Sequence, residues 1–456
     1  DDALKVTVPV LPAGIRMIDP LNLVLRADED GENTITIPEG VDLRSVNLSI
    51  GLQPSIAGAL LKSLDDLVQY PYGCVEQTMS RFLPAVIASG AFRELGLRPK
   101  SATLEKLPEV IKQGTNRLYG MQHDDGGWGW WKNDETNAYM TAYVVYGLTA
   151  AKKEGYEVDA SRLHSGTQRL LRFFDDKSQT DKTSAAYMGF ALASAAHDEA
   201  MKERTVSILD SLAKKNRSDF ETALIGLGYL ALGEKGKAKK LADLLLESAD
   251  EDSRFFYWKA SGKDYIWQHD GVQTTSFALK LLISVRPEMD IRYSKAVNWL
   301  LLQQKGHSWV STQQTATVIF ALADYLKVTK ELEPDLGYTI EVNGTTIKQG
   351  RFVKDDVTRE HPALQLTSTD APLRHGKNKI KISGSGSGML YVSGYAEYFV
   401  TDFEGSIQNG FTITRKYHKL TPVKENGTIT YRKDAAKNIA SGDMLFVDIV
   451  VKSKVG

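Results

Sequence analysis

A single cysteine in 456 residues excludes any disulfide within the chain and confines sulfur chemistry to one position, Cys74. Long apolar runs are missing: nothing approaches the roughly 20 consecutive residues that a membrane-spanning helix needs, and no secretion signal stands at the Asp-Asp start. Net charge is missing as well. The 56 Lys and Arg and the 57 Asp and Glu sum to −1 and are spread along the chain, which leaves no electrostatic footprint for nucleic acid. What remains is a soluble chain too long for one ordinary domain, with two to four expected. It has no initiator Met and stops at Val-Gly after the strand-like run Met444 to Val451, so it is expected to be a fragment of a longer protein.

Cys74 has a glutamine, Gln77, three positions on. A thiolate is both a good nucleophile and a good leaving group. If Cys74 displaces ammonia from the Gln77 amide, the product is an internal thioester closed through Val75 and Glu76. Glutamine suits this role because it is uncharged and carries a leaving nitrogen, and the three-residue offset brings both side chains to one face of a turn. Pro71 and Gly73 fit a sharp turn into a helix over residues 74–90. The plain alternative is a lone cysteine serving as a small buried hydrophobe. A thioester survives in water only if it is desolvated, and Tyr70, Tyr72 and Met79 are the neighbouring side chains able to cover it. Glu76 is the candidate to hold the ring by hydrogen bonding.

The hydrophobic period changes twice along the chain. Short alternating runs (Lys5 to Val10, Leu21 to Arg26, Asn33 to Pro38, Ser45 to Gly51) predict strands. Residues 54–328 then show three-and-four spacing and predict helices. Strands return at Tyr338 to Asn343, Thr345 to Val353, Leu364 to Ser368, Lys377 to Ser383 and Met389 to Val400, with Gly384 to Gly388 as a flexible turn between the last two. Neither β flank is long enough to stand alone, so the helical block reads as an insertion and the flanks are expected to pair. Inside the block, Trp128 before Thr141, Trp267 before Thr274 and Thr275, and Trp309 before Thr315 repeat a pattern of turn, aromatic and Thr-started helix. Repeated two-helix units of this kind build solenoids or closed toroids.

The run Pro-Tyr-Gly-Cys-x-Glu-Gln-x-Met, Pro71 to Met79, resembles the thioester signature of the α2-macroglobulin and complement superfamily. The segments Ala142 to Val145, Trp299-Leu300, Trp309, Ser311 to Gln313, and Thr315 to Tyr325 are similar to helices of that family's thioester domain. Val75 stands where animal members usually have Gly, which points to the bacterial branch. The resemblance implies a multidomain fold: an α/α toroid thioester domain at 53–330, inserted in a CUB-like β-sandwich with halves at 1–52 and 331–402. The start of a truncated C-terminal macroglobulin-like, receptor-binding-type β-domain follows at 403–456. It implies a broad-spectrum protease trap, an inhibitor and not an enzyme, in which cleavage of an upstream bait region exposes the thioester and a lysine amine of the attacking protease is acylated. Upstream macroglobulin-like domains and the bait lie outside this chain. No cofactor or metal is implied. Cysteine poverty and the bacterial resemblance together lead to an expectation of the periplasm, with an inner-membrane lipid anchor on the absent N-terminus.

Some members of that family carry a histidine that first takes the acyl group. The corresponding segment here, Asp175 to Lys182, has none, so direct attack by amines is expected. Other readings remain open at this level. The same bond could tag cells, as an opsonin or adhesin does. The Gln-x-x-Asp-Gly-x-Trp-like turns resemble terpene cyclases, with Asp124 and Asp125 as the available acids. Cys74 could pair with a histidine as a hydrolase nucleophile, and His123 and His269, in analogous turns, could form a metal pair lacking a third ligand.

Overall fold

The computed structural model describes residues 14–58, 60, 73–94, 102–176, 182–259, 271–288, 290–304, 309–329, 331–357, 359, 361–400, 411–425 and 428–453. Three strands come first: β1 (Ile15–Arg26), β2 (Asp30–Ile37) and β3 (Asn47–Gln53). The helices are α1 (Val75–Glu94), α2 (Ala102–Met121), α3 (Ala138–Lys153), α4 (Ala160–Asp175), α5 (Lys182–Ala195), α6 (Glu199–Ala213), α7 (Asp219–Ala231) and α8 (Lys235–Ser248). After the short pair β4 (Asp250–Glu251) and β5 (Phe256–Tyr257) come α9 (Gly271–Val285), α10 (Ile291–Leu302) and α11 (Thr312–Thr329). The remaining strands are β6 (Asp335–Val342), β7 (Thr345–Phe352), β8 (Leu364–Leu366), β9 (Gly376–Ser387), β10 (Met389–Val400), β11 (Phe411–Glu425), β12 (Thr428–Ala435) and β13 (Leu445–Ser453).

Alternate helices differ in how their apolar residues are spread, and that difference makes a ring. On α8, Ala238, Leu241, Ala242 and Leu245 are buried at three-and-four spacing, so this helix covers one neighbour and shows its other side to water. On α3 every residue from Ala138 to Thr149 is buried, which requires neighbours all round. Helices α1, α3, α5, α7, α9 and α11 accordingly pack each against the next, and α11 returns to α1; the even-numbered helices lie outside. This is the α/α toroid. Side chains set the helix starts: Asn137 accepts from the Met140 amide, Asp198 from that of Met201, and Ser218 and Glu221 cap each other's backbone.

Three turns of the ring share one clamp. The buried indoles of Trp128, Trp258 and Trp309 donate to the carbonyls of Leu118, Leu245 and Leu300 at 2.7, 2.9 and 2.8 Å. Their backbone amides donate to Thr141, Thr275 and Thr315 Oγ1 at 3.0, 3.1 and 3.0 Å. Each tryptophan thus fastens an outer helix to the next inner one. The sequence echo points to Trp267 for the middle clamp; that residue lies outside the described ones, and Trp258, carried just past β5, fills the place.

Both four-stranded antiparallel sheets, β1-β10-β3-β8 and β2-β9-β6-β7, take strands from either side of the helical block, so the flanks do pair. Ile35, Ile37, Leu48, Ile50, Ile380 and Ile382 form buried inner faces. Outward-facing Lys379 and Lys381 pair with Glu32 and Asp30 at 2.7 and 2.9 Å. Tyr398 of β10 joins the sheets through a 3.4 Å bond to the Thr36 carbonyl of β2. The expected flexible turn at Gly384 to Gly388 is corrected: β9 continues through Ser387, paired with β6 from Asp335 to Tyr338. Its glycines serve close backbone approach, since a Cβ on Gly386 would lie 2.1 Å from the Asp335 carbonyl oxygen.

The chain leaves the sandwich near Ile56 and comes back through Glu331, and the Glu331 carboxyl ties the two crossings together. It is fully buried, accepts from the Ile56 amide at 3.3 Å and from the Tyr391 hydroxyl of β10 at 2.5 Å. Tyr391 in turn meets Tyr325 of α11 at 2.9 Å. Burial pushes this carboxyl up to about 7 against the pull of those donors.

A separate unit, Asp1–Ile15 with Val400–Gly456, contains the antiparallel sheet β12-β11-β13, on which Ile413, Ile429, Tyr431, Ile449 and Val451 are exposed. Among the described residues no helix is long and apolar enough to cross a membrane.

Candidate functional site

Helix α1 opens directly on the turn that carries Cys74 and Gln77. Gly73 has φ +94°, and a Cβ there would meet Gln77 Oε1 at 1.8 Å, so glycine is what lets the chain turn and the glutamine fold back. The Cys74 amide donates to Gln77 Oε1 at 3.2 Å. The Val75 amide donates to the Trp130 carbonyl at 2.9 Å, in the loop between α2 and α3. The Cys74 carbonyl accepts from both the amide and the hydroxyl of Thr78, each at 2.9 Å. Cys74 is buried, 8 % exposed, whereas Gln77 is exposed.

Two further elements brace this turn. Arg117 of α2 donates through Nη2 to the Gly73 carbonyl at 2.5 Å and through Nε to Thr78 Oγ1 at 3.2 Å. In the α2–α3 loop, Asp134 accepts from the Trp130 and Trp131 amides at 2.7 and 3.1 Å, fixing the carbonyl that receives Val75. Sequence reasoning missed Arg117 and the Trp130 carbonyl. An arginine on an amphipathic helix and a backbone oxygen in a loop carry no local signal of this use.

Glu76 is half-buried and accepts from Ser80 Oγ at 2.6 Å. It lies close enough to Tyr139 and Tyr143 that its charge adds to the dominant effect of burial in holding both phenols above their ordinary range; for Tyr139 a Gln313 hydrogen bond opposes this. Met79 is fully buried against α3, where a Cβ on Gly147 would come within 2.4 Å of its Cε. Tyr70 and Tyr72 lie outside the described residues, as do His269 and residues 177–181 of the segment without histidine. His123 has both ring nitrogens engaged, with Thr136 Oγ1 at 2.8 Å and the Trp131 carbonyl at 2.9 Å. Among the described residues no group of His, Cys, Asp and Glu could hold a metal ion.

Besides an aromatic slot, the centre of the toroid holds a cavity of about 310 Å³ lined by all six inner helices, in which Asp324 pairs with Lys280. The aromatic slot, between Tyr139, Tyr143, Tyr187, Phe277 and Phe320, has a volume of about 20 Å³, room for one water, and no carboxylate lines it. Asp125 is structural: it accepts from the Gly127 amide at 3.0 Å and pairs with Arg169 at 2.7 Å. Burial pushes its carboxyl up, but Gly127, Thr136 and Arg169 together outweigh that and hold it below the usual range.

The sequence model of the A-macroglobulin TED domain matches residues 51–179 and 179–325. The α2-macroglobulin of Thermotoga maritima is 31% identical over 298 residues, 65% of this chain and 16% of that protein. Thioester-containing protein 1, allele R1, of Anopheles gambiae is 22% identical over 441 residues, 89% of this chain and 31% of that protein. Among solved structures, Escherichia coli α2-macroglobulin activated by porcine elastase superposes with a TM-score of 0.55 at 19% identity, over 97% of this chain and 37% of that one. The chain therefore spans well under half the length of these relatives. With that domain model matched over more than half of its residues, the chain belongs to the A-macroglobulin TED family, alongside the bacterial α2-macroglobulins.

Proposed function

We propose that this chain carries the acylating site of a protease trap, with Cys74 and Gln77 joined as an internal thioester. The observation that carries the reading is the Cys74 amide held against Gln77 Oε1 at 3.2 Å. In ring closure Cys74 Sγ adds to Gln77 Cδ, and the charge that grows on Oε1 meets that N–H. Collapse breaks the Cδ–Nε2 bond, and the nitrogen leaves as ammonia with the thiol's proton. In use, a lysine ε-amine of the attacking protease adds to the same carbon, the Cys74 sulfur leaves, and the amine's proton ends on the thiol. A γ-glutamyl amide then joins the two proteins. The site is spent once, so the protein inhibits without turnover.

An exposed acyl group over a buried sulfur suits attack from outside with the leaving group held within. Direct aminolysis fits the segment without histidine and the engaged ring of His123. The names of the relatives, α2-macroglobulin and thioester-containing protein, and the elastase-activated structure support the same reading. Tyr70 and Tyr72 as cover, Glu76 as support, a CUB-like identity for the sandwich, an upstream bait, and a periplasmic, lipid-anchored whole protein complete the proposal.

Challenge of the full-length protein with a protease is the test. A covalent high-mass adduct is expected, abolished in Cys74→Ala, together with an intact mass short by one ammonia, to which methylamine adds its own full mass. An alkylatable Cys74 beside an unmodified Gln77 in the undamaged protein would end the reading. Adducts on cell surfaces without protease cleavage would favour the tagging alternative.

A further inference from the structure

Arg117 reaches both ends of the four-residue ring. Its Nη2 donates to the carbonyl of Gly73, just before the ring, and its Nε to the hydroxyl of Thr78, just after it. The Gly73 contact has a particular geometry. The peptide between Gly73 and Cys74 is trans, so its C=O and N–H point in opposite directions from one rigid plane. The carbonyl end faces Arg117, at 2.5 Å, and the amide end faces Gln77 Oε1, at 3.2 Å. Gly73 is in the left-handed region and precedes helix α1. Among the described residues, Arg117 is the side chain that bonds its carbonyl.

We infer that Arg117 is a positioning residue for acyl transfer, acting through the 73–74 peptide to aim and polarise the Cys74 N–H toward the reacting carbonyl oxygen of Gln77. This rests on the thioester reading above. A cationic donor on a peptide oxygen draws electron density from the amide nitrogen, and hydrogen bonds in such a chain strengthen one another. The N–H at the far end becomes a better donor to the oxygen that gains charge, both when the ring closes and when an amine opens it. The second contact, to Thr78, fixes the guanidinium and through it the hydroxyl that returns to the Cys74 carbonyl at 2.9 Å. The planar fork of arginine makes both contacts at once, which the single ammonium of a lysine does less well.

The relay and a purely scaffolding role predict opposite signs. If Arg117 only held the loop in shape, its loss would loosen the cover and leave the thioester reacting at the same rate or faster. If it polarises the Cys74 amide, loss slows aminolysis, by about tenfold for a donor that is weakened and not removed. The experiment uses the full-length protein, wild type, Arg117→Met and Arg117→Lys. Intact mass gives the thioester content, methylamine consumption per thioester gives the rate, and infrared spectra of protein with carbon-13-labelled glutamine give the thioester carbonyl stretch.

Arg117→Met is expected to react about tenfold slower than wild type, with its carbonyl stretch moved to higher wavenumber and Arg117→Lys between the two. A rate and stretch equal to wild type, or a faster rate, in a ring-containing Arg117→Met protein overturns the relay and leaves the thioester reading standing. If Arg117→Met folds with wild-type circular dichroism but never closes the ring, closure in Arg117→Lys supports the relay, and failure in both overturns it. A wild-type protein that shows no ammonia deficit and consumes no methylamine defeats the thioester reading, and this inference with it.

Discussion

The Gln77 side chain folds back so that its Oε1 accepts from the amide of Cys74 at 3.2 Å, placing one donor where the proposed acyl oxygen would gather charge. The geometry depends on the residue before it. At Gly73 the backbone takes φ +94°, and the space a Cβ would need is already filled by Gln77 Oε1.

Gly73→Ala is therefore expected to lower stability by about 1–3 kcal/mol through left-handed strain and to displace Gln77. The ammonia deficit in the intact mass should vanish. A fully formed ring in this variant would contradict the account of the turn.

Asp134 acts one shell further out. It holds the amides of Trp130 and Trp131, and Trp130 presents its carbonyl to Val75. Asp134→Ala should lower the melting temperature by the equivalent of about 1–2 kcal/mol and hasten spontaneous loss of methylamine-reactive thioester. Unchanged decay would show that the loop does not govern the start of α1.

The tryptophan clamps set the stability of the ring. Thr141→Val leaves the buried Trp128 amide without its acceptor, as Thr275→Val and Thr315→Val do for Trp258 and Trp309. Each should destabilise by about 1–3 kcal/mol, as an orphaned buried donor does, in denaturant unfolding of the full-length protein. Equal stability of Thr141→Ser with wild type would confirm that the hydroxyl, and not the methyl, is responsible.

Glu331 makes stability depend on pH. Its carboxyl titrates near 7 in the folded chain and at about 4.3 when unfolded, so the folded state binds the extra proton between those values. Stability contributed by the protonated form is complete below the unfolded value and is lost as pH rises through about 7. The loss is roughly 4 kcal/mol by pH 8. Glu331→Gln mimics the protonated form, and the slope of melting temperature between pH 5 and 8 should flatten. A slope unchanged from wild type would show that Glu331 is not the group that titrates.

The helical block and its three-and-four periodicity were legible because amphipathic spacing is a local property, as on α8. The pairing of the flanks was legible from length, since neither could bury its own strands. The Gly384 to Gly388 run was misread because Gly and Ser favour turns locally, while close approach to β6 made it strand. Trp258 was not legible as the middle clamp because its partner Thr275 lies 17 residues away, beyond the reach of a local pattern.

Cys74, Gln77 and Gly73 stand within five positions of one another, and the thioester chemistry proposed for them rests on residue type and spacing, which the chain carries by itself. Tertiary structure alone decided what surrounds them: Arg117 on α2 and the Trp130 carbonyl. Their positions depend on helices packing round a closed ring. Which surfaces then face each other is fixed by the global arrangement of buried faces, and no short segment encodes it.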